Sequence, residues 1–398
     1  MIRKHLMPGA AVMTLALLLS GVGPGIALAA PAEASANEPN YVLANEINAF
    51  ALKTFKMLSA KDYAGVEKLF QPYLNAYAAK KISAEDLALR FDPFSGMTEM
   101  ESEFDGWIAA SPKSYAARLA RGIYFVEEAW RKRGIRMGNL TSDEQTAGFR
   151  RYLKKSREEL TASLSLYARP VDSYRYLIRV AKGLDGDARS LLDEALRLDP
   201  RAVEARLEYL DTITPRWGGS KEEMTRFLNE SKQSQMTEAG KTQVAGRYWY
   251  ALAQQARLEK DYHAGSGYFY QGYLATHEAN ALLFSAEIAV DAKDRDLAIV
   301  RMNELIKTFP KSAVGLEYRG KIYEWQFDDA EHAIPDYIAA ADLGMSWSQN
   351  HIGWFYMKGI RVPVDLKKAR HYLELAAAQG NQTAKENIVI LNDMERGK

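Results

Sequence analysis

The sequence has no cysteine. That excludes disulfides, thiol nucleophiles, Cys-ligated metal sites and a lipid anchor built on a cysteine. Net charge is also missing: 52 basic against 51 acidic side chains leave a formal charge of +1. Removing a leader that ends at Ala36, and with it Arg3, Lys4 and Glu33, makes the two equal in number. A chain so balanced offers no electrostatic reason to bind nucleic acid or an anionic membrane. Local clusters such as Arg131-Lys132-Arg133 and Lys154-Lys155-Ser156-Arg157 read as solvated helix faces. The histidines, His5, His263, His277, His332, His351 and His371, never fall at the spacing that sets two ligands on one helix face, so no metal is expected. Gly265-Ser266-Gly267 has no strand before it and lacks the third glycine of a dinucleotide loop, so no cofactor is expected either. No stretch alternates apolar and polar residues with β-branched enrichment, which argues against a sheet.

What is present is ordinary globular material: 47% of the 398 residues are hydrophobic and 26% charged, enough for a substantial core. At the N-terminus, Arg3-Lys4-His5 precedes an apolar stretch over residues 6–19, and glycines and Pro24 break the pattern before a run of small residues. This is the layout of a signal peptide, with cleavage expected after Ala27-Leu28-Ala29 or Ala34-Ser35-Ala36. Gly9, Gly21, Gly23 and Gly25 with Pro8 and Pro24 make a poor spanning helix. An uncleaved inner-membrane anchor is the alternative. Without a cysteine and with an Ala-rich leader, the expected location is a Gram-negative periplasm, with no membrane span left after cleavage.

Beyond a polar linker, almost every segment repeats its apolar residues at three and four, as in Val66, Leu69, Phe70, Tyr73, Leu74 and Tyr77. The expected fold is all-α. Ser142 with Gln145 and Ser220 with Glu223 have the capping-box spacing. Asp92-Pro93, Asp199-Pro200 and Phe309-Pro310 mark helix ends, because the residue before proline is pushed out of the α region.

Two of those ends carry the same pattern upstream. Ala188, Leu192, Ala195 and Pro200 have the spacing of Ala298, Met302, Leu305 and Pro310, and Leu282, Ala286 and Ala289 fall on the helix before the second set. One repeat later come Leu316, Gly320 and Tyr323, then Ala333, Tyr337 and Ala340. This resembles the tetratricopeptide repeat, whose paired helices touch through small residues. The next unit, with Gly344, Gly353, Tyr356, Gly359, Asp365, Lys368, Ala369, Tyr372, Ala376, Ala377, Gly380 and Ala384, resembles the related Sel-1-like repeat. The resemblance implies an α-solenoid of stacked helical hairpins, a superhelix used for protein–protein interaction, and it assigns no catalytic residue. The middle of the chain, Tyr115 to Phe125, Ala129-Trp130-Arg131-Lys132-Arg133-Gly134 and Pro215-Arg216-Trp217-Gly218-Gly219-Ser220, resembles a bacterial domain of unknown function often joined to such repeats. The expected domains are therefore residues 1–36 (leader), 37–235 (helical domain of unknown function) and 236–398 (repeats).

In such repeats the residue one place after each packing position turns about 100° away from it. Those residues are Leu283, Glu287 and Val290, then Glu317, Lys321 and Glu324, then Asn350, Trp354 and Met357, with Trp325 nearby. They are expected to line a groove for an extended peptide or a partner helix, or else to pack against the next repeat. Tyr248-Trp249-Tyr250 and Tyr268-Phe269-Tyr270 each span too much helix circumference for one stripe to bury. Trp217-Gly218-Gly219-Ser220 reads as a turn with a cap and a plugging indole. The leading expectation is an exported, non-catalytic scaffold that binds an envelope protein or peptide. One alternative is a periplasmic glycan hydrolase using an acid among Glu99, Glu101, Glu103 and Asp105 beside Trp107. Those four acids read more simply as a solvated face. Another alternative is a self-assembling solenoid, against which the charged tail Glu395-Arg396-Gly397-Lys398 counts as a cap.

Overall fold

The computed structural model describes residues 39–134 and 141–397, so the leader lies outside the described residues. Among these residues there are nineteen α-helices and no strand. No described helix is long and apolar enough to cross a membrane. The residues form two compact units that divide between Val244 and Ala245. The division falls inside a continuous helix, beyond Gln235. Gly246 stands beside the place, but the helix runs through it unbroken.

The first unit contains α1 (Pro39–Ser59), α2 (Tyr63–Ala78), α3 (Ala84–Phe91), α4 (Glu101–Ala110), α5 (Tyr115–Arg133), α6 (Asp143–Ser163), α7 (Val171–Leu184), α8 (Ala188–Leu198), α9 (Val203–Thr212) and α10 (Lys221–Lys232). Two 3-10 turns, Asp92–Gly96 and Pro215–Trp217, interrupt the series. Its core begins as an aromatic cluster. The Phe70 ring lies 5.2 Å from Phe50, 4.8 Å from Phe91 and 5.6 Å from Phe94, and Trp107 is fully buried beside them. Helix α5 is covered on most sides because it combines large apolar residues with Ala116, Ala117, Ala120 and Gly122, all buried. A Cβ on Gly122 would stand 2.5 Å from Leu160 of α6, and Ser156 of α6 donates to the Gly122 carbonyl at 2.8 Å. Small residues thus let α5 and α6 lie against each other, with a hydroxyl filling the remaining need for a partner.

Helix α11 (Glu238–Leu258) crosses the division. The second unit continues with α12 (Tyr262–Thr276), α13 (Ala279–Asp291), α14 (Arg295–Thr308), α15 (Ala313–Phe327), α16 (Ala330–Asp342), α17 (Ser346–Lys358), α18 (Leu366–Ala378) and α19 (Gln382–Glu395). Successive helices pair as hairpins, α13 with α14, α15 with α16 and α17 with α18, while α19 packs on α18. Starts are set by side chains. Asp261, Asp294, Ser312, Asp329, Asp365 and Asn381 each accept the N–H three residues on, worth about 1 kcal/mol apiece. In the first unit Ser142 and Gln145 complete a reciprocal capping box. Ser220 accepts the Glu223 N–H at 3.1 Å.

The repeat positions carry the second unit's core. Leu282, Ala286, Ala289, Ala298, Met302 and Leu305 form one buried cluster with Ile322 of the following hairpin. Met357, Ala369, Leu373, Ala376, Ala384 and Leu391 form another across α17, α18 and α19. Because each cluster draws on more than one hairpin, no hairpin can bury its own apolar stripe alone. The closest approaches are at glycine. A Cβ on Gly320 would meet the Tyr337 ring at 2.7 Å, and one on Gly353 would meet Leu373 at 2.9 Å. Gly320→Val should therefore lower unfolding stability by about 1–3 kcal/mol, as overpacking does. An unchanged midpoint in urea titration would remove close helix approach as the constraint at this site.

Candidate partner-binding face of the second unit

Helix α15 presents Glu317, Lys321, Glu324 and Trp325 within little more than two turns. The next hairpin meets them with Trp347, Ser348 and His351 from the first half of α17. Glu317 is buried, and its two oxygens are both engaged. Lys321 Nζ donates to Oε1 at 2.6 Å and Ser348 Oγ to Oε2 at 2.8 Å. Lys321 in turn stands 4.1 Å from the centroid of the Trp347 ring, a cation–π contact that fixes both groups. The His351 ring stacks on the same indole at 4.4 Å with an interplanar angle of 21°. Its Nε2 is 3.0 Å from Glu324 Oε2, which also accepts the Tyr337 hydroxyl at 2.8 Å. Trp325 completes the group, edge-on to Trp347 at 6.0 Å and 88°, yet 57% exposed.

Charge follows from these contacts. Burial works to raise the Glu324 carboxyl, but hydrogen bonds from His351 and Tyr337 and the nearby Arg361 outweigh it and hold the group below its ordinary value. Burial and the Glu324 carboxylate push the Tyr337 hydroxyl well up. One repeat back, burial lifts the Glu287 carboxyl although Tyr318 hydrogen-bonds to it. Lys321 and Glu317 neutralise each other. The exposed surface here is thus an indole set on an aromatic platform whose side chains are already held in place.

A second regularity runs along the unit. At each junction between the first helices of neighbouring hairpins, polar side chains meet. Glu287 pairs with Tyr318, Glu317 with Ser348, and Asn350 with Asn387 at 3.0 Å.

The expected groove residues separate accordingly. Glu317, Lys321, Glu324 and Trp325 come together around Trp347. Glu287 and Asn350 are half-buried in junctions on either side. Trp354 is half-buried against Phe355 and the last core clusters. Met357 is corrected: it is fully buried among Ala369, Leu373 and Ala376. It lies four residues after Gly353, and i+4 shares the packing face of a 3.6-residue helix just as i+3 does. Glu317 follows the other expected course and packs against the next repeat, as a buried joint with Ser348. Trp347, His351 and Ser348 were missed. Their helix begins one turn earlier than the repeat pattern was read, and Trp347 to His351 is itself an i, i+4 pair that would have shown a second face.

The other candidates do not converge. Glu101 pairs with Lys155 and Asp105 with Arg121, while Glu103 bonds to Ser102 and Glu99 is exposed. Trp107 turns inward and donates to Glu67 at 2.7 Å. The four acids thus do not share a cleft. Trp217 does plug a joint: it lies edge-on to Trp130 at 5.8 Å, with Arg133 and Lys182 over both rings. Gly219 is required there, since a Cβ would stand 2.1 Å from the Ile213 carbonyl oxygen. In the two aromatic triplets Tyr248 and Phe269 are buried, and the other rings are half-buried. Among the described residues no three acidic or histidine side chains gather as metal ligands would.

Residues 175–251 match the family model described as a domain of unknown function (DUF4034). The match takes in Pro215-Arg216-Trp217-Gly218-Gly219-Ser220 and leaves residues 115–134 outside. No curated protein matches the chain. Solved structures similar to it include a Sel1 repeat protein from Oxalobacter formigenes, 14% identical over 90% of this chain and 94% of that one with a TM-score of 0.35. Another is a protective antigen of uropathogenic Escherichia coli with an SLR fold, 12% identical over 89% and 81% with a TM-score of 0.35. Yeast Tom70 is 11% identical over 89% of each chain, also with a TM-score of 0.35. Likeness at this distance says nothing of ligand or partner.

The platform and its exposed indole should respond differently to truncation. Trp325→Ala should change unfolding stability by no more than about 0.5 kcal/mol. Trp347→Ala, which removes the ring that Lys321 and His351 rest on, should cost roughly 1–3 kcal/mol. Equal losses in chemical denaturation would mean that Trp325 is part of the fold and not an available contact.

Proposed function

We propose that the chain is a helical-repeat scaffold without catalytic chemistry, and that the second unit binds a protein or peptide through the face around Trp325 and Trp347. The observation that carries this reading is Trp325 itself: a large indole 57% exposed over side chains that already have their partners. Isolated exposed apolar residues are common, but one backed by a fixed aromatic platform has little ordering entropy left to lose on association. Interfaces draw most of their energy from such tryptophans. The leader pattern, Arg3-Lys4-His5 followed by an apolar stretch and Ala34-Ser35-Ala36, supports export to the periplasm and an envelope partner. The separation of Glu99, Glu101, Glu103 and Asp105 weakens the hydrolase alternative.

Site-specific photocrosslinking in cells tests it. A photoreactive residue at position 325 should give one discrete protein adduct, and the same residue at exposed Lys385 should give none. With that partner purified, Trp325→Ala should weaken binding by about 2 kcal/mol or more, roughly thirtyfold. Equal crosslinking at both positions, or unaltered affinity, removes this face from the interaction.

A further inference from the structure

At the start of α7, in the first unit, three carboxylates surround one guanidinium. Arg175 Nη1 donates to Asp92 Oδ1 at 3.0 Å and stands 3.6 Å from Asp172 Oδ1, while Nη2 lies 3.7 Å from Glu204 Oε2. One positive charge cannot balance three negative ones. Asp92 keeps water, with a side chain 42% exposed, while Glu204 is half-buried and its carboxyl is raised by burial. The Asp172 side chain is only 6% exposed, and its Oδ2 is buried with no hydrogen-bond donor. A charged oxygen placed there has lost its water and gained nothing in exchange.

The neighbouring arginines on α7 and just before it are already paired. Arg169, on the segment before α7, is taken by Asp199 at 2.8 Å. Arg179, one turn further along α7, is taken by Glu127 of α5 at 2.8 Å. The remaining groups are acids or phenols: Glu208 on α9 and Glu85 on α3 beside Glu204, Tyr77 on α2, Tyr115 on α5 and Tyr167 before α7, with Tyr176 on α7 itself bonded to Asp92 at 3.3 Å. A metal ion would need three converging ligand groups, and none gather among the described residues. The species small enough to neutralise Oδ2 where it stands is a proton.

We infer that Asp172 is a proton-binding site built into the first unit, carried as the neutral acid in the folded chain near neutral pH, and that its ionisation weakens the packing of α7. The direction of its titration agrees. Burial, reinforced by Asp92 and Glu204 and opposed by Arg175, raises the carboxyl from 3.8 to about 7. The sign follows. Below the ordinary carboxyl value folded and unfolded chains both hold the proton. Between that value and about 7 only the folded chain does, so stability falls as pH rises through this window. Above it the loss is complete.

Infrared difference spectroscopy of the full chain between about pH 5 and pH 8 reads the group directly. The wild type should show a protonated-carboxyl band that disappears with a midpoint near neutrality, and Asp172→Asn should lack it. Hydrogen exchange reads the consequence. Protection of peptides covering residues 171–184, corrected for intrinsic rates, should fall about tenfold per pH unit in the same window. In Asp172→Asn the fall should be shallower, leaving only the part set by Glu127 and Glu204, whose carboxyls burial also raises. If Asp172→Asn does not fold, Glu204→Gln serves instead: removing a like charge should move the wild-type midpoint to lower pH. A wild-type spectrum without a carboxyl titrating near neutrality overturns the proposal, as does an unmoved midpoint in Glu204→Gln.

Discussion

The approach of one helix to another at a small residue is the constraint from which the second unit is built. Gly320 lies against Tyr337 and Gly353 against Leu373, each with no room for a Cβ. That distance decides which residues face inward. Tyr337, drawn close by Gly320, has its ring beneath Trp347 and His351 and its hydroxyl on Glu324. The platform that holds Trp325 outward is therefore a result of packing one layer below it. The first unit uses the same device between Gly122 and Leu160, and there it encloses a helix almost completely.

Polar groups inside these units behave differently according to the completeness of their pairing. Glu317 has both oxygens met, by an ammonium and a hydroxyl, so its burial costs little and fixes the register of α15 against α17. Asp199 is met by Arg169 and Tyr77. Asp172 has one oxygen near a shared guanidinium and one with no donor. Complete pairs brace the fold, while the incomplete one is left open to solution conditions.

Much of the fold was legible in the sequence because helix starts, helix ends and small residues at crossings are local signals. Ser142 and Ser220 cap as their spacing suggests, and Ala298, Met302 and Leu305 are buried as theirs suggests. The candidate site was legible only in part. Lys321, Glu324 and Trp325 could be placed from helix geometry, but Trp347 and His351 belong to the next hairpin, and their position depends on how far α17 is rotated against α15. A periodic pattern does not contain that rotation. Met357 is buried, and Glu317 joins the next repeat, for the same reason: a helix in the middle of a stack has two buried sides, and counting from one of them misplaces residues on the other. The division at Val244 is not announced by a helix end, because the backbone stays helical through it and past Gly246.

The junctions between first helices differ in chemistry. One joins a carboxyl to a phenol, the next a carboxylate to a hydroxyl, and the last two amides. A hairpin copied from one place in the series and inserted at another would meet a different hydrogen-bonding group at its new border. The array is thus keyed. Lengthening it by duplication would set at least one of these groups against a neighbour other than the one it now meets.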